Sequence, residues 1–265
     1  MPEQKPPPIL DISVPHTART WNYWLGGKDN YPADREAGDR LLVLMPGLAS
    51  GARAVRGFLV RAVQHLAGEM GIRQFLDIGT GLPTANNTHE VAQSVTPECR
   101  IVYVDNDPLV LAHARALLTS DPKGVTDYLD ADLRDPDTIL REAARTLDFT
   151  QPIALMLLGI INHILDTDEA HAIVNRLMDA LPAGSYLVVS HPTAEVGGDA
   201  MLEVMRVWNE SGGTPPITAR NRQELLRFFD RLELLDPGVV SVSRWRPDVG
   251  APAEECEYCG VGRKA

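Results

Sequence analysis

The stretch Asp77-Ile78-Gly79-Thr80-Gly81-Leu82-Pro83-Thr84 joins a short apolar run to a helical segment. The apolar run at 74–78 predicts a buried strand, and residues 85–95 predict the helix that follows it. Gly79 and Gly81 let the backbone turn tightly and approach a ligand closely, because they carry no side chain. The start of the helix offers unpaired N–H groups and the positive end of its dipole, which suit an anionic group. The stretch therefore predicts a ligand site at a glycine loop between a strand and a helix.

The same alternation of short apolar runs and helical patterns continues along the chain. Further strands are predicted at 100–104, 125–129, 153–158, 185–189, 233–242 and 255–261. Further helices are predicted at 108–118, 137–147, 168–181, 199–210 and 222–231. Apolar strands joined by helices are typical of buried parallel sheets, so the pattern predicts a doubly wound, Rossmann-like α/β fold. The last two strands lack a full helix between them, so we expect them to pair antiparallel.

The N-terminal part of the chain has a different pattern, with helices predicted at 17–25, 32–44 and 52–69. We therefore divide the chain into an N-terminal extension with a helical lid at 1–71 and a ligand-binding domain at 72–265. The two parts are expected to form one structural unit.

The first predicted helix is rich in aromatic residues, and two glycines follow it. Trp21, Tyr23 and Trp24 could close over a ligand, with the glycines as a hinge. The alternative is an aromatic helix docked on the sheet, in which the glycines are structural. That alternative does not explain the polar run after the glycines, so Tyr23, Lys28 and Asn30 are candidate lid or substrate-binding residues.

The charge balance of the chain disfavours two classes of partner. The 265 residues carry a formal net charge of −11. Binding to nucleic acid or to an acidic membrane surface needs a basic face, so we expect neither as a partner. No stretch approaches the roughly 20 apolar residues that cross a bilayer.

Three cysteines indicate a reducing compartment, so we expect a cytoplasmic protein. Cys256 and Cys259 have the spacing of half a metal site, but the sequence holds no second pair. Packing within a strand is therefore the preferred interpretation of these two residues, and no metal is predicted.

Acidic residues follow the second and third predicted strands. Asp105 lies 24 residues after Gly81 and can accept both hydroxyls of a ribose, with Asn106 beside it. Asp132 can accept a hydrogen bond from an adenine amino group, while Leu133 packs beside the ring. Each aspartate alone could be a strand-end cap or a solvated turn residue. Their shared place at the carboxyl ends of neighbouring strands favours a nucleoside cofactor.

The type of cofactor is narrowed by the residues around the loop. A nucleoside triphosphate site would need a Gly-x-x-x-x-Gly-Lys-Ser/Thr stretch, which is absent from the sequence. A dinucleotide site would need a third glycine, where this chain has Thr84. The Asp77 carboxylate would repel a pyrophosphate but suits an ammonium group. These features favour S-adenosylmethionine and make a nicotinamide-dependent oxidoreductase the weaker alternative.

The loop Asp77-Ile78-Gly79-Thr80-Gly81 resembles the first motif of class I S-adenosylmethionine-dependent methyltransferases. Asp105 and Asp132 match the ribose-binding and adenine-binding positions of that superfamily. The resemblance covers about residues 72–262 and implies a seven-stranded sheet with an antiparallel final hairpin. One departure is Pro83, which stands where the superfamily often has a third glycine. The predicted cofactor-binding residues are Asp77, Gly79, Thr80, Gly81, Asp105, Asn106, Asp132 and Leu133.

A longer stretch near the N-terminus is more specific. It reads His16-Thr17-Ala18-Arg19-Thr20-Trp21-Asn22-Tyr23-Trp24-Leu25-Gly26-Gly27-Lys28-Asp29-Asn30-Tyr31 and resembles the opening of one bacterial S-adenosyl methyltransferase family. That family was formerly catalogued as a domain of unknown function. Leu82-Pro83-Thr84 and the closing Gly260-Val261-Gly262-Arg263-Lys264 resemble it too. The resemblance implies fold and cofactor but no substrate.

Catalytic candidates are expected after the fourth strand. His163 resembles a histidine that some small-molecule methyltransferases carry there and could act as a base. The alternative is a histidine that bonds a backbone carbonyl. Asp166 is expected to cap the next helix, and His191 is a weaker base candidate. We predict methyl transfer to a small-molecule acceptor, with a non-catalytic S-adenosylmethionine-binding protein as the alternative.

Overall fold

The computed structural model describes residues 10–117, 120–250 and 252–265. Residues 1–9 of the predicted extension and Leu118, the predicted end of one helix, lie outside these ranges.

Within these ranges, eight strands form one sheet in the order β3-β2-β1-β4-β5-β8-β6, with β7 paired to β8. The strands are β1 Gln74–Ile78, β2 Arg100–Asp105, β3 Val125–Asp130, β4 Ala154–Leu158, β5 Tyr186–Pro192, β6 Leu232–Leu234, β7 Val240–Ser241 and β8 Glu257–Lys264. The first five are parallel, and β8 runs antiparallel to β5. The predicted doubly wound sheet with antiparallel final strands is confirmed.

One predicted strand is divided in the structure. The apolar run at 233–242 forms β6 and β7, with a turn between them that contains Pro237. Proline has no N–H to donate to a neighbouring strand, so it interrupts the ladder. This division accounts for eight strands where seven were predicted.

Helices lie before the sheet and between its strands. They are α1 Thr17–Trp24, α2 Pro32–Leu44, α3 Leu48–Gln64, α4 Thr88–Val95, α5 Pro108–Leu117, α6 Pro136–Ala143, α7 Thr167–Asp179, α8 Ala194–Glu210 and α9 Arg222–Leu226. A wider π turn at His65–Glu69 extends α3.

Three helix starts differ from the prediction by more than one residue. The helix predicted from residue 52 begins at Leu48. The helix predicted from residue 85 begins at Thr88, because Asn87 and Glu90 form a reciprocal capping box there. The helix predicted at 199–210 is the second part of α8. Gly198 divides that helix, since its φ of +54° lies outside the helical region.

The sheet is buried on both faces. Neighbouring residues of a strand point to opposite sides of it, so each strand contributes to two clusters. On one face Phe75 of β1 packs in a cluster with Phe58 of α3 and Trp245. On the other face Leu76 packs in a cluster with Val174 of α7 and Phe228. Each strand is therefore held between two apolar layers.

A buried ion pair holds the N-terminal helices together. Asp34 of α2 is fully buried, and its Oδ1 lies 3.0 Å from Nε of Arg19, which is 2% exposed. The same carboxylate accepts backbone N–H bonds from His16 and Tyr31, at 2.9 and 2.8 Å. Asp34 thus ties both ends of the segment 16–31 to α2.

We expect Asp34→Ala to lower the free energy of unfolding by about 3–5 kcal/mol, because it leaves the buried Arg19 charge without its partner. The measurement is urea denaturation followed by circular dichroism. Glu36→Ala, at an exposed position of the same helix, is the matched control and should change the stability by less than about 0.5 kcal/mol. Equal stabilities for the two variants would contradict this role of Asp34.

Candidate functional site

A cavity of about 210 Å³ lies between the carboxyl ends of the parallel strands and the N-terminal helices. The strand side contributes the glycine loop after β1, Asp105 at the end of β2 and the turn after β4. The helix side contributes residues of α1, α2, α3 and α8. The cavity is therefore enclosed by both predicted parts of the chain.

The glycine loop is fixed to the neighbouring strand β2. Gly79 N donates to the Val104 carbonyl at 2.8 Å, and Gly81 N donates to Asp105 Oδ2 at 2.9 Å. A Cβ added at Gly79 would lie 2.5 Å from Cβ of Ile160, so only glycine lets the loop pack on the turn after β4. Gly81 has a φ of +63° and open space where a Cβ would stand. Space for a ligand therefore adjoins Gly81, and Thr80 also lines the cavity.

Two carboxyl groups lie beside this loop: Asp77 is 5% exposed, and Asp105 is partly buried. Asp77 Oδ2 accepts a hydrogen bond of 2.6 Å from Thr88 Oγ1. Asp105 Oδ1 accepts from Asp107 N at 2.9 Å, while its Oδ2 accepts from Gly81 N. Burial raises the pKa of Asp77 and that of Asp105 to about 6 each. Each carboxylate oxygen can accept more than one hydrogen bond, so both groups can still bind hydroxyl or ammonium donors.

Arg56 of α3 is a cavity residue that the sequence analysis missed. Its Nη2 donates to the carbonyls of Ala85 and Asn86, at 3.0 and 2.8 Å. Its buried Nε has no hydrogen-bond partner among the described residues. Burial lowers the pKa of Arg56, whereas the Asp77 charge raises it. An anionic ligand group would supply the missing acceptor for Nε.

The position of Arg56 in the helical pattern of the sequence indicated a role for this residue. It lies four residues after Ala52 and three before Leu59, on the apolar stripe of its helix. A charged residue at a buried helical position is rare unless it is paired, and that position indicated a role for the charge.

The residues after β3 lie differently from the prediction. Asn106 lines the cavity, and its Nδ2 donates to Asp132 Oδ2 at 3.1 Å. Asp132 is exposed and also accepts from Arg134 N at 2.8 Å, so it adjoins the cavity only through Asn106. Leu133 is 6% exposed and packs in the core cluster with Ile139 of α6. The expectation that Leu133 packs beside a ligand ring does not agree with this placement, because its side chain fills the core.

His163 lines the cavity from the short turn after β4. Its Nδ1 lies 3.1 Å from the Pro216 carbonyl. A carbonyl only accepts, so Nδ1 carries the proton and Nε2 keeps its lone pair. Burial lowers the pKa of His163 to about 4. The backbone contact expected for a structural histidine is thus present, and the lone pair of Nε2 is available as well.

The two other candidate residues at the ends of the fourth and fifth strands, Asp166 and His191, are not among the residues that line the cavity. His191 is fully buried, with Nδ1 at 2.8 Å from the Pro192 carbonyl and Nε2 at 2.7 Å from Arg220 Nη1. Burial lowers the pKa of His191 to about 3. Asp166 caps α7 by accepting from Glu169 N at 2.8 Å, as predicted.

The lid candidates Tyr23, Lys28 and Asn30 lie off the cavity in the described ranges. The Tyr23 hydroxyl donates to Asp39 at 2.7 Å, and Lys28 is exposed. Asn30 is buried, and its Nδ2 donates at 3.0 Å to Asn22, which does line the cavity. Asn30 therefore positions another residue and does not meet the ligand space directly.

The tryptophans of the same segment do line the cavity. Trp21 and Trp24 both face it from α1. A side chain at Gly27 would overlap the Asn22 amide, so that glycine is required by packing. This part of the structure agrees with the docked aromatic helix that was the alternative to a hinged lid.

Further cavity residues were not identified from the sequence. Glu257 of β8 is 9% exposed, and no described residue donates a hydrogen bond to its Oε2. Burial raises the pKa of Glu257 to about 8. Asn162 Oδ1 and Thr20 Oγ1 are buried cavity atoms that also lack partners in the described structure. Glu257, Cys259 and Val261 are alternate residues of one strand, so they point to the same face of the sheet. Because the other two are apolar, the sequence pattern placed Glu257 at a core position.

The described ranges contain no group of three or more His, Cys, Asp or Glu side chains that could hold a metal ion. Nor do they contain a helix long and apolar enough to cross a membrane. Cys256 and Cys259 are free thiols, and Cys259 is buried in the core.

Comparison with known proteins identifies relatives over nearly the whole chain. A DUF574 family protein from Streptomyces avermitilis is 47% identical, with a TM-score of 0.92 over 96% of this chain and 99% of that chain. A putative methyltransferase from Thermobifida fusca is 44% identical, with a TM-score of 0.89 over 98% of both chains. Human N-acetylserotonin methyltransferase in complex with S-adenosylmethionine shares the fold, at 14% identity and a TM-score of 0.51 over 87% of this chain and 57% of that chain.

No curated protein matches the sequence. A family model described as S-adenosyl methyltransferase matches residues 3–265. The chain therefore belongs to the S-adenosyl methyltransferase family, whose cofactor is S-adenosylmethionine.

Proposed function

We propose that this protein transfers a methyl group from S-adenosylmethionine to a small-molecule acceptor bound in the same cavity. The observation that carries the proposal is the cavity itself, which has polar groups beside the glycine loop and apolar walls beyond them. Because the helices α1 and α8 cover it, the space suits a small molecule better than a macromolecule. The net charge of −11 agrees with an acceptor other than nucleic acid.

The residues around the loop fit the three polar parts of the cofactor. Asp105 can accept the ribose hydroxyls, and Asp77 can accept hydrogen bonds from the ammonium group. Arg56 Nε, a buried donor without a partner, can bind the carboxylate of the methionyl part. S-Adenosylmethionine supplies an electrophilic methyl group on a sulfonium. The protein contributes by holding the two reactants in line.

His163 is the candidate for handling the proton of the acceptor. Its low pKa keeps Nε2 unprotonated at neutral pH, so this atom can accept a hydrogen bond from a hydroxyl or amine. That bond orients the acceptor. Nε2 then receives the proton that a hydroxyl or amine loses when it is methylated. His163 is thus proposed as the catalytic base.

The proposal can be tested with methyl-labelled S-adenosylmethionine and an extract of Streptomyces avermitilis, divided into metabolite and macromolecular fractions. We expect label in the metabolite fraction. Label only in the macromolecular fraction would contradict the small-molecule acceptor. Cofactor binding without transfer to either fraction would favour the non-catalytic alternative, and binding of NAD in its place would favour the oxidoreductase.

We expect Asp105→Asn to weaken binding of S-adenosylhomocysteine by about 1–3 kcal/mol, because it removes a charged hydrogen-bond acceptor. Isothermal titration calorimetry measures this loss. Asp199→Asn, at an exposed position of α8, is the matched control and should bind like the unchanged protein. An unchanged affinity in Asp105→Asn would remove this residue from the ribose role.

Arg56→Ala should weaken binding of S-adenosylhomocysteine about tenfold or more, because its carboxylate loses a buried charged donor. Methylthioadenosine lacks the amino-acid part, so its affinity should change little. Calorimetry with both ligands makes the comparison, and Arg53→Ala on the exposed side of the same helix is the control. Equal losses for the two ligands would show that Arg56 acts elsewhere.

Affinity for S-adenosylmethionine should fall as the pH decreases from about 7 to about 5. Asp77 and Asp105 have pKa values of about 6, so both are ionised above that pH. The ligand binds their ionised forms better. Protonation of one such group at pH 5 costs about tenfold in affinity. Titrations across this range in the unchanged protein and in Asp105→Asn test the idea, since the variant should show a shallower dependence.

A further inference from the structure

The carboxyl group of Glu257 is buried in the cavity wall without a partner. Glu257 of β8 stands opposite Pro192 of β5, and both residues line the cavity. No described residue donates to its Oε2, and no described cation lies within ion-pair distance of it. Burial of an unpaired carboxyl group is unfavourable for folding, so packing gives no reason for its presence.

Two further hydrogen-bond acceptors line the same part of the cavity. Asn162 is 7% exposed, and its Oδ1 has no partner among the described residues. His163 Nε2 carries a lone pair, because Nδ1 donates to the Pro216 carbonyl. The three side chains of Glu257, Asn162 and His163 are hereafter the acceptor subsite.

One short backbone segment contacts both the turn that carries Asn162 and the end of β5, which pairs with Glu257. Thr218 N donates to the Asn162 carbonyl at 2.9 Å, and Arg220 N donates to the Pro192 carbonyl at 3.1 Å. Residues 218 and 220 are at most about 7 Å apart in an extended chain. The backbone of Asn162 is therefore near that of Pro192, the β5 partner of Glu257, and all three residues line the cavity.

The remaining walls around the subsite are apolar. They are formed by Trp24, Leu41, Met201, Val204, Met205 and Trp208. Methionine side chains adapt to ligand shape, and aromatic faces pack against apolar groups or cations. A ligand here needs an apolar body.

The polar end of that ligand must donate hydrogen bonds. A hydroxyl group has one proton to donate, whereas an ammonium group has up to three and no lone pair. A ligand carboxylate could bind only to the protonated form of Glu257, whereas an ammonium group matches the lone pairs of all three side chains.

We propose that the acceptor subsite binds the protonated amine of an otherwise apolar small molecule, which is the methyl acceptor of this protein. This inference rests on the proposed function and specifies the substrate class of the same cavity. Glu257 and Asn162 accept hydrogen bonds from the ammonium group, and the apolar walls hold the rest of the molecule. An ammonium nitrogen has no lone pair, so for methyl transfer it would first give one proton to the Glu257 carboxylate. The freed lone pair could then form the C–N bond as the C–S bond of the cofactor breaks, which would leave S-adenosylhomocysteine.

The electrostatics of Glu257 agree with a cationic ligand. Burial raises the pKa of this carboxyl group to about 8, so it is mostly protonated at neutral pH. The titratable groups beside it are the Cys256 and Cys259 thiols, and burial raises the pKa of both. A bound ammonium group favours the ionised carboxylate, so binding should release up to about one proton near pH 7.

The test uses three probes with one apolar body: phenethylamine, phenethyl alcohol and hydrocinnamate. Each is titrated by calorimetry into the full-length protein saturated with S-adenosylhomocysteine. We expect phenethylamine to bind about tenfold or more tightly than phenethyl alcohol, and hydrocinnamate not to bind. Titration in buffers of different ionisation enthalpy should show the proton release. Equal affinities for amine and alcohol, or no binding of any probe, would overturn the proposal.

Glu257→Gln keeps the size of the side chain but not its charge. It should lose the preference for phenethylamine and the proton release, while S-adenosylhomocysteine binds as before. Glu254→Gln, at an exposed position nearby, is the matched control. If Glu257→Gln is poorly folded, Glu257→Met serves as a second variant, and its binding of S-adenosylhomocysteine reports whether it is folded. An amine preference that survives in a folded Glu257 variant would overturn the assignment of Glu257.

The two proposals fail in different ways. Failure of the unchanged protein to bind S-adenosylhomocysteine would count against the proposed function. Normal cofactor binding with no amine preference would overturn only the acceptor subsite and leave methyl transfer to another small molecule open to the labelling experiment.

Discussion

The placement of two carboxyl groups, one buried and one partly buried, at the ends of neighbouring parallel strands is the constraint around which this structure is arranged. Asp77 and Asp105 would repel each other and lose hydration if nothing compensated them. The compensation comes from different elements: Thr88 of α4, the N–H of Gly81 and the Arg56 charge. The glycine loop, the next helix and α3 are thereby held around one polar centre. Such a polar centre is unfavourable for the stability of the fold. It suits the binding of a ligand that carries cationic, hydroxyl and anionic groups.

The N-terminal helices complete the site by covering it. His16 Nδ1 lies 3.2 Å from Oδ2 of Asp107, which comes two residues after the carboxylate that holds the loop. The buried pair of Arg19 and Asp34 fixes the same segment to α2. These contacts join the segment 16–31 to α2 and to the residues that follow β2. The cover also surrounds the charged groups with protein, where they interact more strongly than they would in solvent.

The structure separates the cavity into two chemical environments. Near the loop, charged residues of both signs face the proposed cofactor. Near β8, Glu257 and Asn162 offer acceptor atoms within an apolar wall that includes Met201 and Trp208. His163 lies between a backbone carbonyl and the cavity, which makes the structural and the catalytic interpretation compatible. In-line transfer requires both reactants to be held in one space with a fixed orientation, and one cavity adjoins both environments.

Much of the fold and the cofactor side of the site followed from the sequence alone, because strand and helix periodicities are local and parallel strands place their carboxyl ends at one edge. Asp77, Gly79 and Asp105 could thus be brought together from spacing. The position of the Leu133 side chain, which packs in the core, did not follow from the sequence. In a turn, a shift of one residue along the chain changes the face on which a side chain lies. Nor could the sequence pair Glu257 with Asn162: these residues lie far apart in the chain, and only the packing of β8 and the segment 218–220 on β5 places both in one cavity.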